Sequence, residues 1–112
     1  MTMQIQLMLI LPILFAAASA GPAWSADATA AQALLKKSDC LKCHALDKKK
    51  KGPSFQETAK KHKGEADAEA KLVKHMTSSP MVEIEGQKEE HPKIKTTSQD
   101  EIKNVAQWIL AQ

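Results

Sequence analysis

The chain has two cysteines, and both fall in one pentapeptide, Cys40-Leu41-Lys42-Cys43-His44. No other feature restricts the fold as strongly. Thiols three positions apart lie on one side of a helical turn, and the next residue projects its imidazole from the same turn. The rest of the chain has little with which to build a core. From Ala26 onward it holds one tryptophan (Trp108), one phenylalanine (Phe55) and no tyrosine. Small domains bury a modest share of their surface and depend on disulfides, metals or another staple. A bulky group bound at the pentapeptide would supply the missing core.

The N-terminus points to export. Residues 1–25 contain no charged side chain, and an apolar run from Ile5 to Ala18 leads into small residues. This is the layout of a secretory signal peptide. A membrane anchor is the weaker reading, because the run is shorter than the ~18–20 residues a spanning helix needs and Pro12 interrupts it. Small-x-small patterns occur at Ala18-Ser19-Ala20 and at Ala23-Trp24-Ser25. Cleavage after the second divides the chain into a signal peptide, 1–25, and a single domain, 26–112. The expected compartment is the periplasm, with no stable membrane insertion once the signal is removed.

Charge is polarised along the domain. Residues 34–63 hold ten lysines against Asp39, Asp47 and Glu57, whereas residues 64–112 hold six lysines against nine acids. The chain has no arginine. Bidentate recognition of phosphates and bases favours arginine, so nucleic acid is not an expected partner.

Four helices are predicted. Ala28 to Lys37 is rich in alanine and leucine and ends in two lysines, which suit a helix C-terminus. Phe55 to His62 follows the break Gly52-Pro53 and the cap residue Ser54. Asp67 to Thr77 opens with acids and closes with Lys74 and His75. Ser98-Gln99-Asp100-Glu101 is a capping box, after which Ile102, Val105, Ala106 and Ile109 recur at helical spacing with Trp108 at the border of that face. Residues 78–97, punctuated by Pro80, Gly86 and Pro92, read as a long ordered loop, a length that usually signals function. The fold class is all-α.

Four chemistries compete for the pentapeptide. A disulfide three residues apart closes too small a loop to constrain the chain. A thiol–disulfide redox pair sits in a βαβ context, and none is visible. Zinc needs four ligands, and with no further cysteine it would have to recruit distant histidines. Covalent haem attachment uses every part, because each thiol adds to a haem vinyl group and the following histidine coordinates the iron. Only this reading requires His44.

With CLKCH, a preceding helix, KKGPSF shortly after and a terminal helix carrying Trp108, residues 28–112 resemble the small class I bacterial cytochromes c. The resemblance implies about four helices around one covalently attached haem c, bound through Cys40 and Cys43 with His44 as an iron ligand. It further implies that Pro53 and its neighbours set the tautomer of His44, that the terminal helix packs on Leu34 and Leu35, and that Pro53 and Trp108 belong to the haem-binding set. One position departs from the family. The usual axial methionine, followed by proline, is absent, and His91-Pro92 stands in its place, 17 residues before Trp108. His91 is therefore the expected second iron ligand. Met81, or a vacant or water-filled position, is the main competitor, ahead of Met76, His75 and His62. Imidazole favours ferric iron more than a thioether does, so a His44/His91 pair implies a lowered potential.

The expected function is one-electron transfer between larger redox proteins, by a monomer that is not an enzyme. Lys42 and Lys48 to Lys51 would steer a partner with an acidic docking surface toward the haem edge. Two alternatives stay open: a haem-based small-ligand binder or sensor with a labile sixth ligand, and an ordinary His/Met cytochrome using Met81.

Overall fold

The computed structural model describes residues 25–112; the expected signal peptide lies outside the described residues, apart from its last position. Helix α1 (Ala28–Lys37) starts where Asp27 accepts a hydrogen bond from the Ala30 amide. A 3-10 turn over Cys40–Lys42 follows. Helices α2 (Phe55–Lys61), α3 (Ala68–Thr77) and α4 (Gln99–Leu110) complete the helical set. All four predicted helices are present. The boundaries differ at one end each for α2 and α3, where His62 and Asp67 serve as caps.

The long loop is not irregular throughout. Strands β1 (Met81–Ile84) and β2 (Gln87–Glu90) form an antiparallel hairpin with Ile84 opposite Gln87. The two turn residues, Glu85 and Gly86, both take positive φ, at 50° and 80°. That is the geometry of a type I′ turn, whose twist matches the strands it joins. The helical expectation holds, and the loop adds one small hairpin to it. The strand signal was weak because only β1 alternates, with Val82 and Ile84 half-buried, while every residue of β2 is exposed.

Ala31, Leu34 and Leu35 of α1, Phe55 of α2, Leu72 and Met76 of α3, Ile94 of the following strap and Ile102, Val105, Ala106 and Ile109 of α4 form one core cluster. Helix α4 is its hub, packing against α1, α2 and α3. The i, i+3, i+4, i+7 recurrence from Ile102 to Ile109 is what lets one helix face serve three neighbours. Reciprocal bonds clamp the start of α1 to α4. The Asp27 amide donates to Asn104 Oδ1 at 2.8 Å, and Asn104 Nδ2 donates to the Asp27 carbonyl at 2.9 Å.

The capping box at α4 is half made. Ser98 Oγ accepts from the Glu101 amide at 3.3 Å. The Glu101 carboxylate, instead of reaching back to the Ser98 amide, accepts from the Thr96 hydroxyl, and Thr96 Oγ1 accepts from that amide. Threonine relays the contact, so the same orphan donor is satisfied by a different route.

Candidate functional site: a haem-binding turn facing a histidine strap

The Cys-x-x-Cys-His turn grows directly out of α1. Asp39 adopts the left-handed conformation, φ 60°, and reverses the chain into the 3-10 turn. The amides of Cys43 and His44 both donate to the Cys40 carbonyl, which brings the two thiols and the imidazole onto one compact turn. Neither cysteine is in a disulfide. Burial pushes the Cys40 thiol above its ordinary range. A redox-active Cys-x-x-Cys needs a lowered thiol, so the environment opposes that reading. Among the described residues, no group of three or more His, Cys, Asp or Glu gathers as a zinc site would require.

The lysine run after the turn is a folded return. Gly52 N donates to the Cys43 carbonyl at 2.8 Å, and His44 pairs with Lys49 in an isolated β-bridge. Lys50 bends back to donate its ammonium to the Leu41 carbonyl at 2.7 Å. The return ends at Pro53, whose carbonyl accepts from His44 Nδ1 at 2.7 Å. That bond places the proton on Nδ1 and leaves Nε2 with its lone pair, the tautomer a metal ligand needs. Gly52 lies flat against the same ring. A Cβ there would come within 2.5 Å of His44 Cε1 and 2.9 Å of Nδ1. On another side Phe55 stacks on His44, with ring centroids 5.7 Å apart, and Trp108 meets Phe55 edge-on at 5.6 Å. Trp108 is half-buried and touches the turn through Phe55.

His91 emerges from the far end of the hairpin. Its ring centroid is 6.2 Å from that of His44, with the planes tilted by 48°. Two metal–imidazole bonds of about 2 Å, with the distance from each nitrogen to its ring centre, span roughly 6 Å. The pair therefore fits one metal ion held between them. Burial and then the neighbouring His44 hold His91 below the ordinary histidine range, which keeps it in the neutral form that ligates. Its Nδ1 is buried and has no hydrogen-bond partner.

Met81, Met76 and His62 fall elsewhere. Met81 is 60% exposed on β1, opposite Glu90. Met76 is buried in the core cluster. His62 pairs with Glu65 at 2.9 Å. His75 packs on His91 with ring centroids 4.1 Å apart and the planes tilted by 51°. Burial, followed by repulsion from His91, His44 and Lys61, pushes its pKa down to about 4. The sequence marks His75 only as a lesser ligand candidate and gives no site role to Gly52 or Ser38. Of the latter two, only Gly52 carried a local signal, the Gly-Pro break.

Comparisons with known proteins identify the family. The cytochrome c family model matches residues 28–112. The chain belongs to the cytochrome c family. It is 33% identical to cytochrome c-551 of Pseudomonas aeruginosa over 90 residues, covering 80% of this chain and 81% of that protein. Among solved structures, the class 1 cytochrome MtoD from Sideroxydans lithotrophicus ES-1 matches with a TM-score of 0.75 and 44% identity, covering 78% of this chain and 97% of that one. Nitrosomonas europaea cytochrome c552 matches with a TM-score of 0.56 and 26% identity, covering 70% and 95%. As a small class I cytochrome, the chain binds one haem c covalently through its CxxCH motif and carries electrons; it is not an enzyme. Among the described residues, no helix is long and apolar enough to cross a membrane.

Proposed function

We propose that this cytochrome is a periplasmic one-electron carrier whose haem iron is held between His44 and His91, giving it a lowered potential. The observation that carries the proposal is the 6.2 Å separation of the two rings. Haem c supplies the one-electron couple of its iron, and the chain's residues determine how that couple is held and reached. Cys40 and Cys43 would anchor the group, His44 would ligate through Nε2 with its proton fixed on Nδ1 by Pro53, and His91 would close the opposite side. Trp108, acting through Phe55, supports the plane of His44. The export signal read in residues 1–25 supports the compartment.

The lysine return supports the choice of partner. Lys42, Lys48, Lys49 and Lys51 stay exposed beside the cysteine turn, while Lys50 is committed to the Leu41 carbonyl. A cationic rim of this kind raises the encounter rate with an acidic redox protein and loses that advantage as salt screens it. The carrier is proposed to act as a monomer.

Potentiometric titration tests the ligand assignment. His91→Met should raise the potential substantially, by a fraction of the about 0.8 V that haem axial ligands span. An unchanged potential with His75→Ala also in place, so that the neighbouring imidazole cannot substitute, would remove His91 from the iron. The sensor reading draws on one observation, the partnerless His91 Nδ1. Carbon monoxide separates the two, because the ferrous carrier should resist it at neutral pH and a sensor should bind it readily.

A further inference from the structure

His44 is fixed through its own ring, by the Pro53 carbonyl, the face of Gly52 and the Phe55 ring. No hydrogen bond fixes the ring of His91 at Nδ1. What is fixed is the backbone around it. The His91 amide donates to the Pro80 carbonyl at 2.8 Å and closes the base of the hairpin. Three residues on, Ile94 N donates to the Met76 carbonyl at 2.9 Å while the Ile94 side chain enters the core. The next amide, Lys95, donates to Ser38 Oγ at 2.9 Å, a contact between positions 57 apart in sequence. Lys95 Nζ adds an ionic bond to Asp39 Oδ2 at 3.2 Å.

Ser38 is 3% exposed and stands two residues before Cys40. Its hydroxyl accepts from the Lys95 amide of the strap, so the segment carrying one histidine is pinned to the segment leading into the other. Alanine at position 38 would leave the Lys95 amide without that acceptor and release the strap at its C-terminal anchor. The Ile94 anchor would remain, so the effect should fall on the mobility of His91 more than on the fold.

We infer that Ser38, backed by the Asp39–Lys95 pair, is a positioning residue for His91. It keeps the sixth coordination position closed to small ligands. This rests on the reading of His91 as the second iron ligand.

The test uses the ferrous holoprotein and the rate of carbon monoxide association. Ser38→Ala should bind at least about tenfold faster than the wild type, because an exchangeable ligand must leave before carbon monoxide can enter. Ser38→Thr, which keeps the hydroxyl, should stay near the wild-type rate. Ile109→Val, a core change on α4 that removes none of the strap's hydrogen bonds, controls for lost stability and should also stay near it. A folded Ser38→Ala protein with wild-type carbon monoxide kinetics would overturn the inference. If Ser38→Ala gives no folded holoprotein, the exposed Lys95→Ala variant carries the test. A two- to threefold faster rate is expected there, and an unchanged rate would overturn the inference. A near-infrared band of His/Met type in the ferric wild type would instead remove His91 as ligand, and the inference would fall with it. A His/His band with unaltered Ser38→Ala kinetics would sink the inference alone.

Discussion

His44 sits on a turn fastened at the side chain, whereas His91 sits on a strap fastened at the backbone. The turn draws nearly all its parts from a short stretch, Cys40 to Phe55, in which a carbonyl, a glycine face and an aromatic ring converge on one imidazole. The strap draws its parts from across the chain, from Met76, Pro80 and Ser38. A ligand held at its ring resists rotation and displacement together. One held through its backbone depends on distant contacts staying closed, so its exchange can be tuned without disturbing the attachment turn. The lesson is that the two sides should fail differently.

Phe55→Ala should have the largest effect on stability. It removes the ring between His44 and Trp108 and costs about 3–5 kcal/mol, read as a lowered melting temperature of the holoprotein. Carbon monoxide binding should change little, because the strap is untouched; a large acceleration would break the contrast between the two sides. Ile94→Ala strikes the other side. It should cost about 2–5 kcal/mol and, unlike Phe55→Ala, should also speed carbon monoxide association. Gly52→Ala comes next, at about 1–3 kcal/mol, because its methyl would overlap the His44 ring. The ferric absorption spectrum should show a displaced proximal ligand, and an unaltered spectrum would mean that the return loop yields without moving His44.

The smallest effect is one of pH. Hydrogen bonding to Lys95 and the charge of Lys42 hold the Asp39 carboxyl below its ordinary value of 3.8. A depressed carboxyl stabilises above its unfolded value and loses that contribution as pH falls through the folded one. The Asp39–Lys95 half of the tether should therefore stay intact from neutral pH down to about 4 and weaken only below that. Carbon monoxide kinetics followed across that range should be flat above the window, and Asp39→Asn should remove the acid-side change.

The difference between the two sides also decided what the sequence could reveal. The turn was readable because its chemistry is written contiguously, in a pentapeptide, a Gly-Pro break and the Ser54 cap. Helix α4 was readable because apolar periodicity and a capping serine are local signals. The strap offers one local signal, His91-Pro92 standing where the family has methionine and proline. Ser38 looked like an ordinary helix-terminal serine, since its partner lies 57 positions away. His75 sat in a charged helix with nothing to show that the hairpin would bring His91 onto it. The hairpin was masked by a second strand without buried residues, and the relay through Thr96 replaced a capping contact that sequence spacing assigns to Glu101 alone.

Near-infrared magnetic circular dichroism of the ferric protein tests the His44/His91 assignment most directly. His75 lies close enough to His91 to take its place, so the set should comprise the wild type, His75→Ala and the double variant His75→Ala/His91→Ala. A bis-histidine charge-transfer band that persists in His75→Ala and disappears in the double variant is expected. A His/Met band, unchanged when both histidines are removed, would contradict it and return a methionine to the iron.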